Sequence, residues 1–245
     1  MDTQECCIKR SLCQHIELGE EDLLLLEELE HAPKEVERRS QLWKAGDVPE
    51  MLYTLQRGWA YSFHCSKGGS RQVLEIFLPG DLIGIREVTF NTHYTGVEML
   101  TDGVVCPFPV QSLRRACQRS STLGLAMHAS ASHQQAVITE RLVNVLSHDA
   151  KSRIAHFALE IYYRLERIHA TDGGSFTLPL TQRLFSLMLG LTEVHVSRTL
   201  TDLAEEGLIH KRRNAIRILD FERLSVLAGF VPEHCSEAIN PLLRG

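Results

Sequence analysis

Residues 180–209 read LTQRLFSLMLGLTEVHVSRTLTDLAEEGLI, and this stretch decides the architecture. Apolar Leu184, Leu187 and Met188 mark one short helix by their spacing. Gly190 follows, where a tight turn needs a backbone free of side chain. Thr192 has the chemistry to cap a second helix, whose inner face is Val196, Leu200 and Leu203. Gly207 ends that helix. Two short helices joined by a glycine turn read as a helix-turn-helix, whose second helix fits a DNA major groove.

Immediately downstream, Leu208 and Ile209 begin a small hairpin. The basic turn Lys211-Arg212-Arg213-Asn214 reverses the chain and Ile216-Arg217-Ile218-Leu219 returns it, which makes the motif winged. Glu193, His195, Ser197 and Arg198 lie near the start of the second helix, where side chains reach base edges. An arginine fork matches guanine O6 and N7, and a carboxylate accepts from cytosine N4. Thr181 and Gln182 on the first helix and Thr192 at the second complete the expected DNA face. Lys211, Arg212 and Arg213 are expected on phosphates, which position the protein without reading sequence. A helical hairpin that merely packs has similar spacing, so the rest of the chain has to discriminate.

Upstream, residues 1–19 form a Cys-containing leader, and Glu20 to Leu29 reads as a brief helix. Residues 36–109 change to short alternating segments punctuated by Arg57-Gly58, Lys67-Gly68-Gly69 and Pro79-Gly80-Asp81, the texture of an antiparallel roll. From 120 to 146 the turns vanish, and Leu123, Met127, Ala131, Gln134, Val137, Ile138, Arg141 and Val145 recur at three- and four-residue spacing. That predicts a long helix with one apolar stripe to spare. An ordinary core helix is one reading. A subunit-pairing helix with Val137 and Ile138 in the contact fits better, because a long helix between two small domains needs its second face covered. A helix over 150–168 and a loop over 171–175 precede the deciding motif. The expected fold class is α+β: an N-terminal antiparallel β-roll over 20–119, a dimerisation helix over 120–147 and a winged helix-turn-helix over 148–245.

Composition narrows the function classes. The 245 residues carry a formal net charge of −5, which excludes a purely electrostatic, histone-like DNA binder and opposes a structural nucleoid role. Acids crowd the early chain and Lys211, Arg212, Arg213 and Arg217 a late stretch. No apolar run is long enough to span a membrane, and the start MDTQECCIKRSLC lacks a signal-peptide core, so a cytoplasmic protein is expected. A cupin-like catalyst would need histidines and a carboxylate converging on a metal. His64, His93, His128, His133 and His148 show no such spacing.

At this point the chain resembles the cyclic-AMP-receptor/FNR family of bacterial regulators over nearly its whole length. The resemblance rests on Lys44-Ala45-Gly46-Asp47, on Leu55 to Gly58, on Phe77-Leu78-Pro79-Gly80-Asp81-Leu82-Ile83-Gly84 and on the helix-turn-helix. It implies a roll of the cyclic-nucleotide-binding type carrying the ligand or cofactor, and a homodimer on a palindromic double-stranded operator, working with RNA polymerase. It matches Arg198 to the recognition-helix arginine and Ser197 to the serine of the FNR branch. The family usually places a glutamate four residues before that arginine. Val194 stands there instead, and Glu193 lies about 100° around the helix, so a different operator half-site is expected.

The resemblance also frames the signal. The cyclic-nucleotide branch carries a Gly-Glu pair and then Arg-Ser or Arg-Thr for the phosphate. Here Ile85 follows Gly84, neither arginine pair occurs in 90–101, and cyclic AMP is not expected. The FNR branch holds a [4Fe–4S] cluster through three leader cysteines and one from the roll, which implies Cys6, Cys7, Cys13 and Cys106 as ligands. The Cys7–Cys13 interval and the place of Cys106 match. The first leader cysteine does not: Cys6 adjoins Cys7, and Gln4 stands where a cysteine belongs. Adjacent cysteines seldom reach separate irons without strain. Thiol oxidation without iron, an unidentified small ligand and inert cysteines stay open. Cys65, Cys117 and Cys235 are expected to be buried or incidental.

Overall fold

The computed structural model describes residues 7–14, 16–29, 31–66 and 68–231; Cys6 and Cys235 lie outside them. In chain order the elements are α1 (Cys7–Cys13), α2 (Glu20–Leu29), β1 (Lys34–Val36), β2 (Gln41–Trp43), β3 (Met51–Arg57), β4 (Ala60–Cys65), β5 (Arg71–Phe77), β6 (Leu82–Ile83), β7 (Gly96–Met99) and β8 (Gly103–Pro109). Then come α3 (Val110–Arg119), α4 (Ser121–Ser147), α5 (Ala150–Arg167), β9 (Thr171–Asp172), β10 (Ser175–Thr177), α6 (Gln182–Leu189), α7 (Glu193–Glu205), β11 (Ile209–Arg212), β12 (Ala215–Ile218) and α8 (Phe221–Ala228). Two compact units result, one of residues 7–65 with 76–135, the other of 66–75 with 136–231.

In the first unit an antiparallel sheet runs β1-β8-β3-β6, and a second aligns β2, β7 and β4. Strand alternation makes the first sheet two-faced. Leu55, Val105 and Ile83 point to a core shared with Trp43, Val97 and Met99. Leu52, Phe108 and Leu82 point to the other side, beneath Ile8 and Leu12 of α1, Leu26 of α2 and Leu123 and Met127 of α4. The described part of the leader is therefore a helix seated on the sheet, with Ile8 and Leu12 at 0% exposure. Each such side chain contributes roughly 1.5–3 kcal/mol by burial. Ser120, in extended conformation, separates α3 from α4, and its hydroxyl accepts from Leu123 N at 3.1 Å, starting the long helix afresh.

On α4 the two residues expected at the subunit contact differ in burial. Val137 is already buried within the chain, as are Leu123, Met127, Gln134 and Arg141, while Ile138 is half-buried. The apolar side chains left in water are Leu142, Val143 and Leu146, at 55, 50 and 74% exposure.

In the second unit α5 is the hub, packed by α7 and α8. Its Glu160 is buried between Arg141 Nη2 at 2.6 Å and Arg164 Nη1 at 3.2 Å. Arg141 Nη1 also donates to the Leu74 carbonyl at 2.9 Å. Burial pushes the Glu160 carboxyl upward, but the two guanidinium groups outweigh it and hold the carboxyl below its ordinary range. The expected loop at 171–175 is a second correction. It forms the β9–β10 hairpin, and β10 pairs with β12, so the wing belongs to a four-stranded sheet ordered β11-β12-β10-β9.

Candidate nucleic-acid interface and cysteine site

The helix-turn-helix is built by caps and one glycine. Thr181 accepts from Leu184 N at 3.2 Å and Thr192 from His195 N at 3.2 Å, so each hydroxyl satisfies an otherwise orphaned amide of its helix. In both caps the hydroxyl oxygen accepts, which leaves its own proton to offer a phosphate. Gly190 ends α6 at φ 64°, a left-handed conformation that disfavours a side chain. Phe185, Met188 and Leu189 of α6 and Val196, Leu200 and Leu203 of α7 are buried.

With that face inside, the opposite face of α7 is fixed. Glu193, Val194, His195, Ser197, Arg198 and Thr201 are all exposed. At about 100° per residue, Val194, Arg198 and Thr201 share the centre of the exposed face. Ser197 lies beside them, and Glu193 and His195 flank it on either side. Sequence reasoning placed Glu193 and Arg198 among the DNA contacts, noted Val194 only as the residue at the family's glutamate position, and passed over Thr201. The four- and seven-residue spacing from Val194 carries the signal that would have found it.

The wing presents the basic residues. β11 pairs with β12 in the register His210↔Arg217 and Arg212↔Ala215, leaving Arg213 and Asn214 as the two-residue turn. Lys211, Arg212, Arg213 and Arg217 are exposed, while Ile209, Ile216 and Ile218 turn inward. Partial desolvation lowers the pKa of Lys211. Gln182, at the start of α6, is exposed like Thr181.

The cysteines divide differently. Cys7 and Cys106 are buried, and their sulfurs touch at 3.2 Å. Cys13 is exposed, six residues on and so about 120° around α1 from Cys7. Among the described residues no group of three or more His, Cys, Asp or Glu side chains is placed to hold a metal ion. Four thiolates at separate corners of a cubane would stand apart, whereas these two sulfurs are in contact. The described residues thus make a thiol pair and do not fit a four-thiolate cage; Cys6, the remaining expected ligand, lies outside them. Cys65 is exposed, and Cys117 is half-buried with its thiol pKa pushed up by burial.

The segment following Gly84 is held by a buried polar cluster. Glu87 is buried, accepting from Thr95 Oγ1 at 2.6 Å and paired with His93 Nδ1 at 2.7 Å. The Trp43 ring stacks on His93 with centroids 4.2 Å apart. Among the described residues no helix is long and apolar enough to cross a membrane.

Residues 152–227 match the family described as Crp-like helix-turn-helix domain, and residues 33–120 match the family described as cyclic nucleotide-binding domain. The chain is 26% identical over 230 residues to the fumarate and nitrate reduction regulatory protein of Vibrio cholerae, covering 94% of this chain and 91% of that one. It is 28% identical over 229 residues to the anaerobic regulatory protein of Pasteurella multocida, covering 92% and 82%. Among solved structures, FixK2 from Bradyrhizobium japonicum superposes with a TM-score of 0.74 at 22% identity, covering 82% of this chain and 98% of that one.

Proposed function

This chain belongs to the Crp/Fnr family of DNA-binding transcription regulators, and from that premise we propose how it reads DNA and what alters its grip. Two copies pair through Leu142, Val143 and Leu146 of α4, and each lays α7 in a major groove of a palindromic operator. Arg198 reads a guanine; Ser197, Glu193 and His195 contact neighbouring base edges or phosphates. Thr181, Gln182, Thr192, Lys211, Arg212 and Arg213 hold the backbone. Contact with RNA polymerase in the cytoplasm completes the reading. The observation that carries it is the division of α7 into a buried apolar face and an exposed face centred on Val194 and Arg198. Selection of bound duplexes from a random pool tests it. A two-fold symmetric motif is expected, and enrichment of no motif would overturn the reading. Light scattering of the Leu142→Glu, Leu146→Glu double variant should report a monomer, because burying unpaired charge in an apolar contact is unfavourable.

Control is assigned to the cysteines. The contact of Cys7 with Cys106 supports a response by two thiols. The resemblance to the FNR branch, with a relative named an anaerobic regulatory protein, supports a redox response for which Cys6, Cys7, Cys13 and Cys106 would be the ligands of a [4Fe–4S] cluster. Bound there, a cluster would supply an oxygen-labile redox centre. Iron and sulfide assay with a visible spectrum of anaerobically prepared protein separates the two. About four irons per chain supports the cluster, and colourless, iron-free protein supports the thiol pair.

A further inference from the structure

The side chain that stands across from Cys106 has no explanation in packing. Thr54 on β3 is in register with Cys106 on β8, so the two lie side by side on one face of the sheet. That face is the one α1 covers: Leu52 and Phe108, the next pair on the same side, pack with Ile8 and Leu12. Thr54 is 0% exposed and its Oγ1 has no hydrogen-bond partner. A buried, unsatisfied hydroxyl in a native core asks for a reason. The residue after Cys106 is Pro107, which has no N–H to offer a neighbouring sulfur. Among the described residues the site holds two touching thiols and, beside them, one idle hydroxyl donor.

Building on the two-thiol reading of control, we propose that Cys106 and Cys7 form a reversible disulfide by way of a sulfenic acid on Cys106 that Thr54 stabilises. The oxidant is hydrogen peroxide. The Cys106 sulfur, having given up its proton, attacks the terminal peroxide oxygen; the O–O bond breaks and hydroxide leaves, taking up a proton as water. The Thr54 hydroxyl donates to the new sulfenate oxygen. The Cys7 sulfur, deprotonated in turn, then attacks the Cys106 sulfur, the S–O bond breaks, and the second oxygen leaves as water. Two thiols and one hydrogen peroxide become one disulfide and two waters, with two electrons passing from sulfur to oxygen. The sulfurs have only to close from 3.2 Å to bonding distance, about 2.05 Å. Burial makes the pair slower than exposed Cys13 or Cys65, so the product rather than the rate identifies it.

The test uses the full chain, reduced, freed of any iron by chelation and treated with hydrogen peroxide, followed by peptide mapping. A peptide containing Cys7 should be found linked to one containing Cys106. The link should persist in Cys6→Ser and Cys13→Ser and vanish in Cys7→Ser and Cys106→Ser. In Cys7→Ser, where the sulfenic acid cannot resolve, a sulfenic-selective carbonyl probe should label Cys106. Thr54→Val should lower that labelling about tenfold, the worth of one hydrogen bond to a charged group, and Thr54→Ser should restore it. Reduced Thr54→Val should melt like the parent, since it keeps the shape and removes only an unpartnered group. A link through Cys6 or Cys13 instead, or equal labelling in Thr54→Val and Thr54→Ser, would overturn the proposal. Operator affinity, measured on the same samples, answers a separate question. Affinity that responds to peroxide without a Cys7–Cys106 link leaves thiol control standing and ends this assignment. A link without any change in affinity does the reverse.

Discussion

The DNA face and the cysteine site place their polar groups in opposite surroundings. On α7 and the wing, the side chains proposed to meet DNA stand in water, and the apolar residues behind them hold the helix in place. Around Cys106, and again around Glu160, the polar groups are sunk in the core and depend on one another. An exposed group is free to be changed without loss of the fold, so its substitution should read out in binding. A buried polar group is tied to the fold, and removing one partner strands the rest.

The largest effect should come from the buried side of this contrast. Glu160→Gln removes the buried carboxylate charge that Arg141 and Arg164 share and should cost about 3–5 kcal/mol in denaturant unfolding at neutral pH. Because the folded-state pKa of Glu160 is depressed, its contribution is present above the ordinary carboxylate value and is lost as pH falls through the folded value. The gap between parent and variant should therefore be full at pH 7 and narrow below about pH 4. A gap that does not change with pH would mean the carboxylate charge is not what holds the two arginines.

On the exposed side, Arg198→Ala should cost roughly 1–3 kcal/mol at the selected operator, with little loss on random DNA and no change in melting temperature. Equal loss on both duplexes in a titration would make Arg198 a phosphate contact. Thr192→Ala sits between the two classes. Its hydroxyl is exposed yet caps α7, so about 1 kcal/mol of stability should go with it, visible without any DNA present. Smallest on any single duplex is Arg212→Ala. It should weaken specific and random DNA alike and lower the slope of log affinity against log salt by about one.

The same contrast explains what was legible in the sequence. The helix-turn-helix was readable because each of its parts leaves a local mark: Thr192 three residues before the amide it caps, Gly190 where φ is positive, Val196, Leu200 and Leu203 at helical spacing. The four-residue step from Val194 to Arg198 was visible too, as was the place of Glu193 on the flank about 100° away. The β9–β10 hairpin hid in Thr-Asp-Gly-Gly-Ser, a string of turn formers with only Phe176 to betray a strand. Which apolar residues of α4 stay uncovered was illegible for a different reason. Val137 and Leu142 look alike in one dimension, and only the packing of neighbouring elements decides which is covered. The cysteine site was least legible, since Cys7, Thr54 and Cys106 meet only through strand register and the seating of α1.

A two-stranded ribbon alone in water is marginal at best. The wing escapes that condition because β10 and β9 extend its sheet to four strands, with Phe176 in register with Ile216 and both side chains buried. Ordering a residue removes roughly 1–2 kcal/mol of backbone entropy, and for the turn at Arg213 and Asn214 most of that loss has already been met in folding. In the proposed complex the tip meets a phosphate as a stiff object rather than a searching one, so its share of the encounter is expected to be governed by diffusion and charge.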